Sequence, residues 1–303
     1  MPPQEIVSQS VSTPAPLPPL RMGKFAASRM IVQESWKILK QDKEIMWFPV
    51  LSAITSLVAL MIMAGIGFFV LLDGNVENLK GASKEGMGDF SYVILFIYYL
   101  VMFFIVNFFQ AGIYIIAHGR FNGQDLSFRD GWNGAIAQSD KIFMWSVISA
   151  TVGVVLRMTS DRSRLIGRIV AALLGAAWGI LTYFSLPSLI IGKKSVQDSF
   201  KESASVIRKT WGETIIVVLG VGLFFTLLFF LGVALLVGVV ILVPDPIVMI
   251  GTIVLLIIFT ILISVISSAL GSIFKLAIYE YATTGKVPQG FSPELIQHAV
   301  KGK

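Results

Sequence analysis

The sequence contains no cysteine and only two histidines, His118 and His298. Without cysteine the chain cannot form disulfides, thiolate-ligated iron–sulfur clusters or a thiol nucleophile, and every zinc pattern that combines cysteine with histidine is excluded. We therefore expect no metal ion and no other cofactor. The absence of cysteine also leaves the redox compartment undetermined.

Charge is equally scarce. Charged residues make up 14% of the 303 residues and hydrophobic residues 55%, and the mean hydropathy is +0.80. A soluble domain is about 25% charged, so this chain has too few charges to cover a water-facing surface. The net charge of +6 does not indicate nucleic-acid binding, because the basic residues flank apolar runs instead of forming one stripe. We therefore expect the lipid bilayer as partner and no nucleic acid.

Long apolar stretches free of Lys, Arg, Asp and Glu recur along the chain. They lie at about residues 47–72, 90–117, 142–156, 169–191, 214–243 and 247–274. About 20 residues cross the ~30 Å of bilayer hydrocarbon, and a charge at its centre costs at least about 2.5–3.5 kcal/mol. The sequence therefore predicts an all-α, polytopic membrane helical bundle of about six spans, although the third stretch is short.

The basic residues lie mostly in alternate links between these stretches, as the positive-inside rule expects for cytoplasmic segments. This distribution predicts cytoplasmic termini at both ends. One link disagrees, since four arginines between the third and fourth stretches would lie outside if both cross: Arg157, Arg162, Arg164 and Arg168. Residues 142–191 therefore either cross twice or form a re-entrant hairpin.

Three amphipathic segments precede pairs of apolar stretches, and each has apolar residues at helical spacing on one face. These residues are Val32, Trp36 and Leu39 in the first, Phe128, Trp132 and Ala135 in the second, and Val196, Phe200, Ala204, Ile207 and Trp211 in the third. Such helices lie in the membrane interface. The pattern suggests three helix-plus-hairpin repeats, which the matching segments DKEIMW (Asp42 to Trp47) and DKIFMW (Asp140 to Trp145) support. Convergence on a basic residue followed by an interfacial Trp is the alternative.

The domain organisation follows from these elements. Residues 1–22 are rich in proline, lack the apolar core of a signal peptide and are expected to form a disordered tail. Residues 23–292 form the six-span transmembrane domain, and residues 293–303 a short cytoplasmic tail. Ser127 is expected to cap the second amphipathic helix, Pro187 to kink the fourth span, and Gly285 to end the sixth.

Several motifs resemble an uncharacterised family of prokaryotic multi-pass integral membrane proteins, catalogued as a domain of unknown function. They are SWKILKQDKE-x-x-WFP-x-LS (Ser35 to Ser52), RDGW (Arg129 to Trp132), SATVG (Ser149 to Gly153), GRIV (Gly167 to Val170), TWGE (Thr210 to Glu213) and YEYATTGKVPQGF (Tyr279 to Phe291). The resemblance covers about residues 25 to 292. It implies the topology and a prokaryotic plasma membrane, and it carries no substrate and no catalytic residue.

Polar residues line one face of the second stretch. Asn107, Gln110, Tyr114 and His118 follow the spacing i, i+3, i+7 and i+11. One interpretation is interhelical hydrogen bonding, which contributes about 0.6 kcal/mol per pair in membranes. The other is a polar cavity or permeation path for a bound molecule.

Arg157, Asp161, Arg164 and Arg168 also follow helical spacing and predict a basic helical face. Guanidinium groups bind phosphate in bidentate fashion, so this face is a candidate site for the headgroup of an anionic phospholipid. The alternative is interfacial anchoring by arginines whose charged ends reach the water.

Small residues recur every four positions in two stretches. They are Ala171, Gly175 and Gly179 in the fourth, and Ser264, Ser268 and Ser272 in the sixth. Such faces let helix backbones approach closely, so we expect them to pack within the bundle or between copies of the chain.

No nucleotide-binding loop, nucleophile elbow or metalloprotease motif occurs, and no carboxylate lies within an apolar stretch. We therefore expect a protein that is not an enzyme. The leading hypothesis is binding or transport of a small molecule or lipid. The alternative is a non-enzymatic membrane scaffold or assembly partner for other proteins.

Overall fold

The computed structural model describes residues 24–72, 89–162, 165–210, 213–243 and 245–300. Within these ranges the chain is helical and has no strand. The helices are α1 (Lys24–Gln41), α2 (Trp47–Leu72), α3 (Asp89–Phe121), α4 (Phe128–Ile136), α5 (Ser139–Arg162), α6 (Ile166–Leu181), α7 (Ser185–Ile190), α8 (Val196–Thr210), α9 (Glu213–Leu242), α10 (Pro246–Thr284) and α11 (Pro293–Val300), with a 3-10 turn at Lys43–Met46 before α2. The predicted all-α membrane bundle is confirmed. The predicted N-terminal tail lies outside the described residues.

Six segments are long and apolar enough to cross a membrane. They are Lys43–Val70, Ser91–Phe121, Ser139–Asp161, Ile166–Ile190, Gly222–Leu242 and Pro246–Thr284. The third is longer than its apolar stretch because α5 continues as a helix through Arg157 and Asp161. At 1.5 Å per residue α5 reaches roughly 36 Å, whereas α6 reaches only roughly 24 Å before the turn at residues 182–184. Helix length therefore does not decide between two crossings and a re-entrant hairpin for residues 142–191.

The buried core lies at one end of the bundle, which we call the packed end: the ends of the spans that α1, α4, α8 and α11 adjoin. The buried residues of α3 run from Phe109 to Phe121 and those of α10 from Val265 to Tyr281. Further along α2, by contrast, apolar side chains from Ile54 to Val70 are exposed. In a membrane these exposed halves contact lipid, so tertiary packing is concentrated at the packed end.

The three amphipathic helices occur as predicted, with α1, α4 and α8 each preceding a pair of spans. Their apolar faces contact the core through Leu39, Ala135 and Ile207, which are all buried. Trp211, the last residue predicted for the third face, lies outside the described residues. The structure thus contains three helix-plus-hairpin units in chain order.

The matched residues of the first two units nevertheless lie in different surroundings. Asp42 is buried and pairs with Arg120, whereas Asp140 is exposed in the first turn of α5. Trp47 is 59% exposed, whereas its counterpart Trp145 is 6% exposed. The similar sequences therefore do not place these side chains in equivalent roles.

Helix boundaries follow the predicted local signals. Ser127 caps α4 in a capping box with Asp130, and Gly285 ends α10 in the left-handed conformation, with φ of 72°. The fourth span breaks between α6 and α7, where residues 182–184 form a turn. Pro187 explains the break, because its ring clashes with the carbonyl of Tyr183 and it has no N–H to donate.

Candidate functional site

The four polar residues predicted to share a face of the second span contact different parts of the structure. The amide of Asn107 donates to Ser146 Oγ of α5 at 3.3 Å, and Tyr114 is fully buried in the core. His118 Nδ1 lies 2.6 Å from Glu280 Oε1 at the end of α10. Gln110 lines a cleft. The four residues share a helical face but do not meet the same neighbours, because Asn107 contacts α5, whereas Gln110 and His118 lie against α10.

The cleft that contains Gln110 lies between α2, α3 and α10, near the packed end, and has a volume of about 380 Å³. We call it the serine cleft. Its apolar lining includes Val106, Phe109, Ile113, Ile261 and Val265, and its polar lining consists of Ser52, Ser56, Gln110, Thr260, Ser264 and Ser268. None of its lining residues is ionisable. It therefore offers hydrogen bonds without charge.

Helical spacing places the polar groups of the serine cleft in rows. Ser52 and Ser56 lie one turn apart on α2, and Thr260, Ser264 and Ser268 lie at successive turns of α10. The predicted small-residue face of span six therefore does not serve close packing along its length. Ser264 and Ser268 are exposed to the cleft, and only Ser272 is buried.

The small-residue face of span four is also largely open. A Cβ added at Gly175 would contact Leu156 at 3.5 Å, whereas one added at Gly179 would meet nothing within 4 Å. Close helix packing was therefore the wrong prediction for Gly179 within this chain.

Most polar side chains of the serine cleft have no hydrogen-bond partner in the part of the chain that the structure describes. This holds for Gln110, Ser52, Ser56, Ser264 and Ser268, whereas the hydroxyl of Thr260 donates to the carbonyl of Leu256 at 2.8 Å. A polar group left without a partner in hydrocarbon costs several kcal/mol, on the order of 2–7 for a hydroxyl or amide. These groups are thus free to bind a polar group of a ligand.

Close packing on the other side of α3 fixes the helix that carries Gln110. Phe48 packs onto Gly112, and α4 approaches α3 at Gly131. A Cβ added at Gly131 would lie 2.9 Å from Ile116 Cγ1 and 3.0 Å from the carbonyl oxygen of Gly112. These contacts hold α3 against α4 and against the first turn of α2, and Gln110, two residues before Gly112, faces the cleft between α2, α3 and α10.

A second polar cluster holds the packed end together. Glu202 of α8 accepts hydrogen bonds from Ser188 and from Tyr279, the latter at 3.0 Å. At the break in span four, Ser203 Oγ accepts the N–H of Phe184 at 2.9 Å. These residues were not identified from the sequence because they come from three separate helices. Their hydrogen bonds are made within the cluster, which indicates a structural role.

Arg120 joins the end of α3 to the start of α2. It donates to Asp42 just before the 3-10 turn, with Nε 2.6 Å from Oδ2, and to Asp125 at 2.7 Å. The Asp42 side chain is 5% exposed, so this pair is largely removed from water. It fixes the start of α2, which carries Ser52 and Ser56.

The predicted basic face around Arg157 is only partly present. Arg157 Nε lies 3.2 Å from Asp161 Oδ2 on α5, as the i,i+4 spacing predicts. However, α5 ends at Arg162 and α6 starts at Ile166, so the exposed Arg168 belongs to another helix. Arg164 lies outside the described residues. One continuous helical face was therefore the wrong prediction, because Arg157 and Asp161 lie on α5 and Arg168 lies on α6.

A comparison with protein families finds a match over most of the chain. The family model described as "Family of unknown function (DUF6159)" matches residues 90–290. This region includes the α3 and α10 walls of the serine cleft, and it contains RDGW, SATVG and GRIV among the motifs. A comparison with curated proteins found no match. The chain belongs to DUF6159, a family of unknown function.

Proposed function

We propose that this membrane protein binds an uncharged amphipathic molecule, a lipid or a small molecule, in the serine cleft. One observation supports this most directly: five polar side chains without partners in the described chain face a cleft of otherwise apolar lining. Soluble proteins bind small ligands in similar sites, which combine apolar walls with a few polar groups.

The lining suggests how such a molecule would lie. Its hydroxyl, amide or carbonyl group would bond to Gln110 and to the serines of α10, each such bond contributing about 0.5–1.5 kcal/mol. Its apolar part would lie against Val106 and Ile261, which are exposed and border the surrounding lipid. At about 380 Å³ the cleft is near the lower limit for ligand sites, so a long-chain lipid would enter only in part.

We further propose that the packed end faces the cytoplasm of a prokaryotic plasma membrane and that both termini are cytoplasmic. The support is the excess of Lys and Arg in the links at this end. The serine cleft would then lie in the cytoplasmic leaflet, because Ser56 is nine residues, or roughly 14 Å, into α2. We also propose that the exposed arginines Arg157 and Arg168 bind the headgroup of an anionic phospholipid.

Binding is favoured over catalysis by the chemistry of the lining. The residues of the serine cleft supply hydroxyls, one amide and apolar surface, and these groups provide no general acid or base near neutral pH. We therefore propose a role that is not enzymatic.

The test is a comparison of molecules that co-purify with the full chain. The variant Gln110→Leu/Ser264→Ala/Ser268→Ala removes polar groups of the cleft, and the control Thr55→Val/Thr226→Val removes hydroxyls that bond only to their own helices. Native mass spectrometry of wild type should detect a bound uncharged amphipathic molecule that the control retains and the cleft variant loses. Equal ligand content in all three proteins, with unchanged cellular function, would favour the scaffold alternative.

A further inference from the structure

A second depression lies on the opposite face of α2 and has a volume of about 510 Å³. It is lined by Glu44, Trp47, Leu51, Ser127, Phe128 and Arg129. Trp47 and Leu51 are one turn apart, and the 100° step of a helix places them roughly opposite Ser52 and Ser56. This second site, the α4 pocket, is therefore separate from the serine cleft.

The α4 pocket carries one carboxylate and one guanidinium. Glu44 Oε2 accepts the backbone N–H of Phe128, the first residue of α4, and this bond holds the carboxylate in place. Arg129 is exposed and makes no ion pair with any residue in the described ranges. Asp130, the adjacent acid, is occupied by the capping box, where its Oδ2 accepts from the Ser127 hydroxyl at 2.7 Å and from the Ser127 N–H at 2.9 Å.

Apolar surface completes the pocket at the level where span one begins. Trp47, the first residue of α2, is 59% exposed, and tryptophan is enriched at the headgroup level of membranes. Phe128 packs against Phe48 with ring centroids 4.6 Å apart, so the floor of the pocket is continuous with the core. The pocket thus combines a carboxylate, a guanidinium and an exposed aromatic ring at the start of span one.

We propose that the α4 pocket binds the headgroup of a phospholipid that carries both a phosphate and a primary ammonium, as phosphatidylethanolamine does. Arg129 binds the phosphate, Glu44 accepts the ammonium through its remaining lone pairs, and Trp47 and Leu51 contact the glycerol and the first methylenes. A phosphoglycerol headgroup has no ammonium to pair with Glu44, so the carboxylate would lie beside the negatively charged phosphate. A choline headgroup has no N–H to donate to the carboxylate.

The test is a lipid titration of the full-length, delipidated protein in detergent, with bound lipid counted by native mass spectrometry. Short-chain phospholipids with ethanolamine, choline and glycerol headgroups are compared. Arg129→Gln removes the phosphate partner, Glu44→Gln removes only the negative charge, and Arg208→Gln is the control at an exposed arginine outside both proposed lipid sites. Because glutamine keeps a carbonyl oxygen for the Phe128 N–H, Glu44→Gln leaves α4 capped.

Wild type and the control should prefer the ethanolamine lipid. Arg129→Gln should weaken all three lipids by about tenfold, the value expected for one charged hydrogen-bonded contact. Glu44→Gln should lose the preference, weakening the ethanolamine lipid while strengthening the phosphoglycerol lipid. The triple variant of the serine cleft should bind like wild type, which separates this proposal from the proposed function.

Three results of the lipid titration would overturn the proposal. These are wild-type binding without a headgroup preference, unchanged binding by Arg129→Gln, and a preference that survives in Glu44→Gln. A competition experiment with free O-phosphoethanolamine tests whether the ligand is a lipid. If this compound displaces the lipid at equal concentration, the ligand is a soluble phosphate ester and the assignment to a membrane lipid is wrong.

Discussion

Replacing Arg120 by methionine removes the partner of a buried carboxylate. Arg120 is 25% exposed and Asp42 is 5% exposed, so Asp42 would be left in the core with only a little water around it. Asp125, the other acid that Arg120 contacts, is 85% exposed and can be solvated without the arginine. The cost of Arg120→Met therefore falls almost entirely on Asp42.

Breaking one side of a buried ion pair costs about 3–5 kcal/mol, and the partial exposure of Arg120 places this pair at about 3 kcal/mol. In the double variant Asp42→Asn/Arg120→Met no charge remains buried, so we expect a loss of only about 1 kcal/mol. Adding Asp42→Asn to Arg120→Met should therefore recover about 2 kcal/mol of stability. Arg157→Met is the control: its pair with Asp161 is 51% and 32% exposed, and its loss should cost under about 0.5 kcal/mol.

The measurement is equilibrium unfolding in mixed micelles of a mild detergent and SDS, followed by tryptophan fluorescence. Arg120→Met should be much less stable than wild type, and adding Asp42→Asn should restore most of the loss. The reasoning fails if the double variant is no more stable than Arg120→Met, or if Arg157→Met is as destabilising as Arg120→Met.

Three further predictions concern packing, helix ends and pH. Gly131→Val should lower the free energy of unfolding by at least about 1–3 kcal/mol in the same assay, because its Cβ would press on Ile116, Phe48 and the backbone of Gly112. Gly179→Val should change stability little, since a Cβ there meets nothing within 4 Å. Equal losses in the two variants would contradict the packing described. Gly285→Ala should cost about 1–2 kcal/mol because φ is 72° at that residue, and a neutral result would mean that the helix ends differently. Hydrogen bonds from the Ser127 side chain and backbone lower the pKa of Asp130 below the ordinary 3.8. The stability that its charge contributes is therefore present above that value and is lost as pH falls through the lower folded-state pKa. The difference in thermal stability between wild type and Asp130→Asn should thus be constant near neutral pH and shrink in acid, and a difference that grew in acid would contradict the assignment.

The spans and helix boundaries could be predicted because membrane physics acts on local sequence. Charge-free stretches mark the spans, and signals such as Ser127, Pro187 and Gly285 act within a few residues of themselves. The packed end could not be predicted, because lipid and protein interiors accept the same apolar residues. Ile54 in the exposed part of α2 and Ile113 in the core of α3 are chemically alike.

The candidate site was predictable only in part for a related reason. Helical spacing correctly placed Asn107, Gln110 and Tyr114 near one another on α3, but it does not reveal which helix each faces. Asn107 meets α5, whereas Gln110 faces α2 and α10. The spacing of Ser264 and Ser268 suggested close helix packing. Small side chains occur both where helices pack closely and where a cleft is open, and only the tertiary structure distinguishes the two.

The most direct test of ligand binding in the serine cleft is photocrosslinking in growing cells. A benzophenone amino acid is placed at Ser264, which faces the cleft, and separately at Leu262, which is exposed two residues away on the opposite side of α10. Mass spectrometry should identify one uncharged amphipathic molecule joined to position 264, and the mixed phospholipids of the membrane joined to position 262. The same mixture at both positions would contradict binding in the cleft.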